Sequence, residues 1–278
     1  MTADPTADLT ADLPAGLDAP ALDDLLAAVA AAGQRLLAAQ PARALGEEAR
    51  MRQCFAEACA AVLQDLGATL AARTPGVPVV QAGLTPDRLP ELDGLYWLCD
   101  PLDGAIQYLA GLPMWTVTLT LMQGATPLLA IVSDPCLQRT YHAVRHGGAY
   151  GNGEVLDCGA PRALAWATVG TSFPNWPRRP QAELDAFLHK LGNVVPAVLA
   201  QRWIGSATLS LALVASGRLD AYWECGRHLV DWLPGLLIAQ EAGARITSLG
   251  ERPLGEPGSG LVVAAAPIHG ALQALLAA

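Results

Sequence analysis

Trp97-Leu98-Cys99-Asp100-Pro101-Leu102-Asp103-Gly104 is a short apolar run that ends in two carboxylates three residues apart and closes on a glycine. Such a run, bounded by Pro and Gly, reads as a strand over 96–99 that delivers acids to its C-terminal end. Hard oxygen donors at the rim of a sheet suit Mg²⁺ better than a softer metal. Pro101 removes a backbone donor and stiffens the turn. The plainer reading of Asp-Pro and Asp-Gly is a turn that ends a strand. A third acid, Asp231, precedes an apolar helical run. It reads as a further ligand or as the N-cap of a helix starting near Trp232, with Pro234 tolerated in the first turn. Gly104-Ala105-Ile106-Gln107 begins a helix whose free N–H groups make a phosphate cradle.

Outward from this run, helical spacing covers 21–39, with Asp23 and Asp24 in the first turn, and 45–73, which Pro75 and Pro78 end. A strand over 77–80 leads into a polar loop over 81–94. Strands follow at 115–122, 128–132 and 139–144, then turns through 146–153. Beyond Gly159 the pattern gives strands at 168–172, 219–223, 245–247 and 260–264. It gives helices at 181–191, 207–216, 234–242 and 269–276. Helices and strands without strict alternation imply a layered α/β (α+β) architecture, not a simple doubly wound sheet. In residues 1–20 Thr-Ala-Asp recurs at Thr2, Thr6 and Thr10 among prolines, which reads as a disordered acidic arm. Residues 21–160 and 161–278 are then an N-terminal α/β subdomain with the acid-bearing loop and a C-terminal one. Trp97, Trp115, Trp223 and Trp232 sit in expected elements as core, and Trp166, Trp176 and Trp203 are candidates to border a pocket.

The chain has 278 residues, 52% of them hydrophobic and 15% charged, enough for one large or two medium packed domains. No apolar run reaches the roughly 20 residues of a membrane-spanning helix, and the N-terminus lacks the basic and apolar regions of a secretory signal. The expectation is cytoplasmic. A net charge of −9 disfavours nucleic acid and anionic membrane as partners. The cysteines, Cys54, Cys59, Cys99, Cys136, Cys158 and Cys225, form no CxxC pair and read as reduced thiols.

The run from Trp97 to Met122, WLCDPLDGAIQYLAGLPMWTVTLTLM, resembles the core of the inositol monophosphatase family. SATLSLALVASGRLDAYWECGRHLVDWLPGLLIAQEAG, from Ser206 to Gly243, does so too, in the same order. His146-Gly147-Gly148-Ala149-Tyr150-Gly151-Asn152-Gly153 is similar to the glycine-rich turn between those blocks. The resemblance implies a layered αβαβα sandwich and a homodimer. It implies a Mg²⁺-dependent phosphomonoesterase, with Mn²⁺ as a substitute, lithium as inhibitor and a small phosphorylated metabolite as substrate. Carried over, Asp100, the Leu102 carbonyl, Asp103 and Asp231 resemble metal ligands, and Gly104 and Ala105 phosphate-contacting backbone. Glu224 resembles the contact to a substrate hydroxyl, with a surface salt bridge as its plainer reading. Ser206 and Ala207 resemble the lining of the substrate pocket.

Two positions depart from that pattern. Gln81 stands where the family has a metal-binding, water-activating glutamate, and Ala82 at its second glutamate. An amide oxygen ligates Mg²⁺ without charge and cannot act as a base. Glu91 and Asp93 in the next loop are alternative acids. Ala105 replaces the threonine that orients the attacking water. The family's acid near the start of the second helix has Glu47 or Glu48 as its nearest counterpart, each also a plain solvated helix start. Two functions follow: a working sugar- or inositol-phosphate phosphatase, or a phosphatase-like protein that binds a phosphorylated ligand or partner with impaired turnover.

Overall fold

The chain enters its first helix through Asp18, whose carboxylate accepts the Ala21 N–H at 3.0 Å and caps α1 (Ala19–Ala38). In this computed structural model, all residues are described except 1–12, 15–16, 83–88, 160–162, 174–177, 227, 251 and 257–258. Most of the expected acidic arm therefore lies outside the described residues. Its end does not fit that expectation, because Ala19 and Pro20 are helical and Leu17 is buried. The helix starts earlier than the apolar spacing implied, so Asp23 and Asp24 fall beyond its first turn.

α2 (Glu48–Arg73) is the one described helix long and apolar enough to cross a bilayer, which corrects the expectation of no such run. Its Phe55, Cys59, Val62, Leu66 and Leu70 recur at helical spacing and are buried in one cluster with α1 residues Leu25, Val29 and Leu36. It is packed as a core helix. Together α1 and α2 cover one face of a seven-stranded sheet. That sheet runs β1 (Val79–Gln81), β2 (Leu95–Asp103), β3 (Thr116–Gln123), β4 (Thr126–Asp134), β5 (Arg139–Val144), β6 (Gly148–Gly151) and β7 (Glu154–Val155) in spatial order. β1 pairs parallel with β2, and every other neighbour is antiparallel. A short helix, α3 (Ala105–Leu109), leaves the end of β2. β6 corrects the expectation of turns throughout 146–153. Asn152 and Gly153, at φ 52° and 83°, form the turn of a β6–β7 hairpin, and the residues before them pair with β5.

The second sheet is built from β8 (Thr168–Ser172), β9 (Ala200–Trp203), β10 (Ala221–Glu224), β11 (Arg245–Thr247) and β12 (Leu261–Ala264), in the order β11-β12-β10-β8-β9. β10, β8 and β9 run parallel. β9 was not expected from sequence; it is an edge strand of only four residues. The first sheet ends at Val155 and the second begins at Thr168.

Between the sheets lie α5 (Ala207–Ala215) and α6 (Leu229–Glu241), packing Leu211 and Ile238 against Val132, Tyr141, Tyr222 and Val263. α4 (Gln181–Val194) and α7 (Ala266–Ala277) cover the outer face, around Phe187, Trp223 and Leu272. The layers are therefore α, β, α, β, α, as the resemblance implied. Trp97, Trp115, Trp223 and Trp232 are fully buried, and all six cysteines are free thiols. α6 begins before Trp232, so Pro234 lies inside the helix rather than in its first turn. There it withholds the N–H that the Val230 carbonyl would have accepted.

Candidate functional site

Residues 100 and 103 are an odd number apart, so in a regular strand their side chains point to opposite faces. β2 does not end at Cys99; it continues to Asp103 with an irregularity in its pairing to β3. Asp100 opposes Thr118 and Asp103 opposes Thr116, so three steps on β2 meet two on β3. This is a β-bulge carrying one extra residue. Its effect is visible in the packing. Trp97 and Cys99 face α1 and α2, and Leu102 joins the same cluster, while Asp103 turns to the other face and meets α5. The bulge brings Asp100 and Asp103 to one side, with Pro101 and Leu102 in the irregular stretch where the missing donor of Pro101 is tolerated.

Asp103 is held at its Oδ2. Ser206 Oγ donates to it at 2.6 Å and the Thr208 N–H at 3.0 Å. Ser206 is also the N-cap of α5, its Oγ accepting the Leu209 N–H at 2.9 Å. The positive end of α5 thus points at Asp103. Burial raises the Asp103 carboxyl above the ordinary range, opposed by the Ser206 and Thr208 donors. Asp100 is pushed up to about 7, first by burial and then by the charge of Asp103, with the Leu102 N–H donating to its Oδ1 at 3.1 Å and opposing the rise. Two hard carboxylates that repel one another suit a divalent cation between them.

Asp231 lies in the first turn of α6, and the N-cap position belongs to His228, which corrects the capping alternative. Its carboxylate is 4.0 Å from His228 Nδ1, and Arg179 contacts the other ring nitrogen. Its carbonyl accepts the Thr208 hydroxyl at 2.6 Å. Thr208 therefore holds Asp103 with its backbone and Asp231 with its side chain. Sequence reasoning missed it, and its place two residues after the cap Ser206 was the available signal. Among the described residues no three His, Cys, Asp or Glu side chains form a metal-holding group. Asp100 and Asp103 are brought together, while Asp231 is tied to Asp103 by its backbone carbonyl through Thr208, with its carboxylate beside His228.

Glu224 ends β10 and is buried, so no surface salt bridge explains it. Its Oε2 accepts the Tyr222 hydroxyl at 2.5 Å and the Trp232 indole N–H at 2.9 Å. Burial pushes it up to about 7, against those two donors, and the charge of Asp103 adds to the rise. Ala207 opens α5 beside Ser206, and both are buried.

Gly104 has φ 89°, and a Cβ there would stand 2.9 Å from the Met114 carbonyl, so glycine is required. α3 has only five residues, and the Gly104 N–H is turned to the Asp103 carboxylate. The expected phosphate cradle is reduced to the backbone N–H groups from Ala105 on. Gln81 is exposed beside β2, with the Ala82 N–H bonded to the Cys99 carbonyl at 2.7 Å. Its partner from α2 is Cys59, a thiol in hydrogen-bond reach of Gln81 and pushed up to about 12 by burial and then by the charge of Asp100. Glu47 and Glu48 merely start that helix, Glu48 pairing with Arg52 at 2.7 Å. Glu91 and Asp93 are exposed. Trp166 and Trp203 are 66% and 54% exposed, Trp203 lying edge-on to Phe187 in the outer layer. Trp176 lies outside the described residues.

The sequence pattern of the inositol monophosphatase family matches residues 22–278. The inositol-1-monophosphatase SuhB of Mycobacterium tuberculosis strain H37Rv is 40% identical over 193 residues, 67% of this chain and 63% of that protein. The inositol-1-monophosphatase of Rhizobium meliloti strain 1021 is 38% identical over 170 residues, 60% of this chain and 62% of that protein. The chain thus spans under two thirds of the length of these relatives. The solved structure of Mycobacterium tuberculosis SuhB shares a TM-score of 0.73 at 29% identity, covering 91% of this chain and 94% of that one. An inositol monophosphatase from Anabaena sp. PCC 7120 has the same fold, at a TM-score of 0.74 and 24% identity over 92% and 94% of the two chains.

Proposed function

Because this chain belongs to the inositol monophosphatase family, we propose that it is a Mg²⁺-dependent phosphomonoesterase acting on a small inositol- or sugar-type phosphate. The observation that carries this reading is the β2 bulge, which sets Asp100 and Asp103 on one side with Asp103 gripped by the start of α5. Asp100, the Leu102 carbonyl, Asp103 and Asp231 would hold the ion, with Mn²⁺ in its place and lithium as inhibitor. When bound, the ion supplies Lewis acidity toward the phosphate oxygens. Ser206 and Thr208 fix the direction of the Asp103 carboxylate. The Ala105 N–H is the backbone donor left for the phosphate, since the Gly104 N–H is on Asp103, and Ser206 and Ala207 wall the pocket. Glu224 accepts a hydroxyl of the substrate. The protein acts in the cytoplasm as a homodimer, on a phosphorylated metabolite and on neither nucleic acid nor membrane.

A second reading rests on Gln81 and Ala105. Neither side chain can take a proton from water, and positioning with electrostatics is what remains. On that reading the site binds a phosphorylated ligand with little turnover. Phosphate release from inositol, sugar and nucleotide monophosphates, with Mg²⁺ and with Asp100→Asn as control, separates the two. Release that disappears in the control establishes the phosphatase. A folded protein that binds Mg²⁺ and phosphate esters but releases nothing establishes the second reading.

A further inference from the structure

Glu224 takes the Tyr222 and Trp232 donors on one oxygen. Both bonds fall on Oε2, with the Ser172 side chain also within reach of the carboxylate. Tyr222 has a single proton to give and gives it to Glu224, so Ser172 Oγ is the donor to Tyr222 at 2.8 Å. Ser172 opposes Glu224 in the β8–β10 pairing, so this chain of donors is built into the sheet. Trp232 comes from the other side, on α6, one residue after Asp231. The carboxylate is clamped between sheet and helix, beside the Thr208 link that ties the Asp231 carbonyl to Asp103.

We infer that Trp232 is a positioning residue for substrate choice: its indole N–H fixes Glu224 so that Oε1 meets a hydroxyl next to the phosphate, and the site selects polyol phosphates over esters without such a hydroxyl. This rests on the proposed phosphatase reading. Phe at 232 keeps an aromatic ring in the core and removes the N–H. Glu224 then has one donor fewer and is free to rotate, so the penalty falls on the ligand that needs Oε1.

The test compares Trp232→Phe with Trp97→Phe, which removes an equally buried indole N–H, one that donates to Thr74 Oγ1 at 2.8 Å in a different cluster. KM and kcat are measured for inositol 1-phosphate and for p-nitrophenyl phosphate. The ratio of the two KM values is expected to rise about tenfold in Trp232→Phe, the effect of losing one hydrogen bond to a charged group, and to stay put in Trp97→Phe. Equal losses on both esters, or no change in the ratio, overturn the inference. If the parent releases no phosphate, the proposed activity fails, and calorimetric Kd values for inositol 1-phosphate and inorganic phosphate decide instead. Weaker binding of the inositol ester alone in Trp232→Phe supports the clamp. Parallel changes, or no binding of the ester by the parent, overturn it.

Discussion

Ser206 Oγ donates to Asp103 Oδ2 at 2.6 Å, joining a strand of the first sheet to the start of a helix 103 residues later in the chain. The same oxygen caps that helix by accepting the Leu209 N–H. Ser206→Ala therefore loses a cap and a bond to a carboxylate, together about 2–4 kcal/mol. Urea unfolding checks this, and Ser206→Thr, which keeps the hydroxyl, is expected to lose under half as much. Equal stability of the Ala variant and the parent would contradict the geometry.

Asp100 gives a metal-dependent signature. Its free carboxyl titrates near 3.8, and in the fold it is pushed up to about 7. Between those values the unfolded chain binds fewer protons than the folded one, so stability falls as pH rises through that window. At pH 8 in chelator, Asp100→Asn is expected to melt at or above the parent, since it no longer repels Asp103. Added Mg²⁺ should raise the melting temperature of the parent and leave that of the variant. A variant that melts well below the parent in chelator refutes the repulsion.

Gln81 and Ala105 give a gain of function. Restoring a base and a hydroxyl with Gln81→Glu and Ala105→Thr is expected to raise kcat at least tenfold, since single groups that act on developing charge are commonly worth about 10²–10³. KM should move less than kcat. Steady-state phosphate release from the double variant and both single ones checks this, and an unchanged kcat would show that the parent replaces both groups by other means.

His142 acts in the opposite sense from Asp100. It is buried, stacked on Tyr150 with ring centroids 5.3 Å apart, and burial lowers it from 6.5 to about 4. Between those values the unfolded chain binds more protons, so this residue makes stability fall as pH drops through the window, by at most about 3 kcal/mol. His142→Phe should lose less stability than the parent between pH 7 and pH 4.5. Parallel denaturation midpoints at the two pH values would show that His142 is not buried neutral.

Much of the layered fold was legible because apolar periodicity marks α1, α2, β3 and β10 directly. β6 was not, since Gly148 and Gly151 read as turn residues until β5 supplies their pairing. β9 was too short and too mixed to stand out. The acids were legible as a motif, but their side was not. Alternation alone separates Asp100 from Asp103, and only the pairing to β3 reveals the extra residue. Cys59 was invisible as a site residue, because a cysteine in the middle of an apolar helix reads as core. Its approach to Gln81 and Asp100 depends on how α2 lies across β1 and β2.

The bulge gives this strand the sensitivity of a reading frame. Loss of one residue between Asp100 and Asp103 removes the bulge and leaves the two acids two apart in a regular strand, still on one side. Loss of both 101 and 102 makes the acids neighbours on opposite faces and swings Asp103 toward α1 and α2, away from Ser206, with every acid still encoded. An aligned count of acids alone would pass that shortened chain as intact, because only the spacing of 100 and 103 read together with the bulge places both acids on one side.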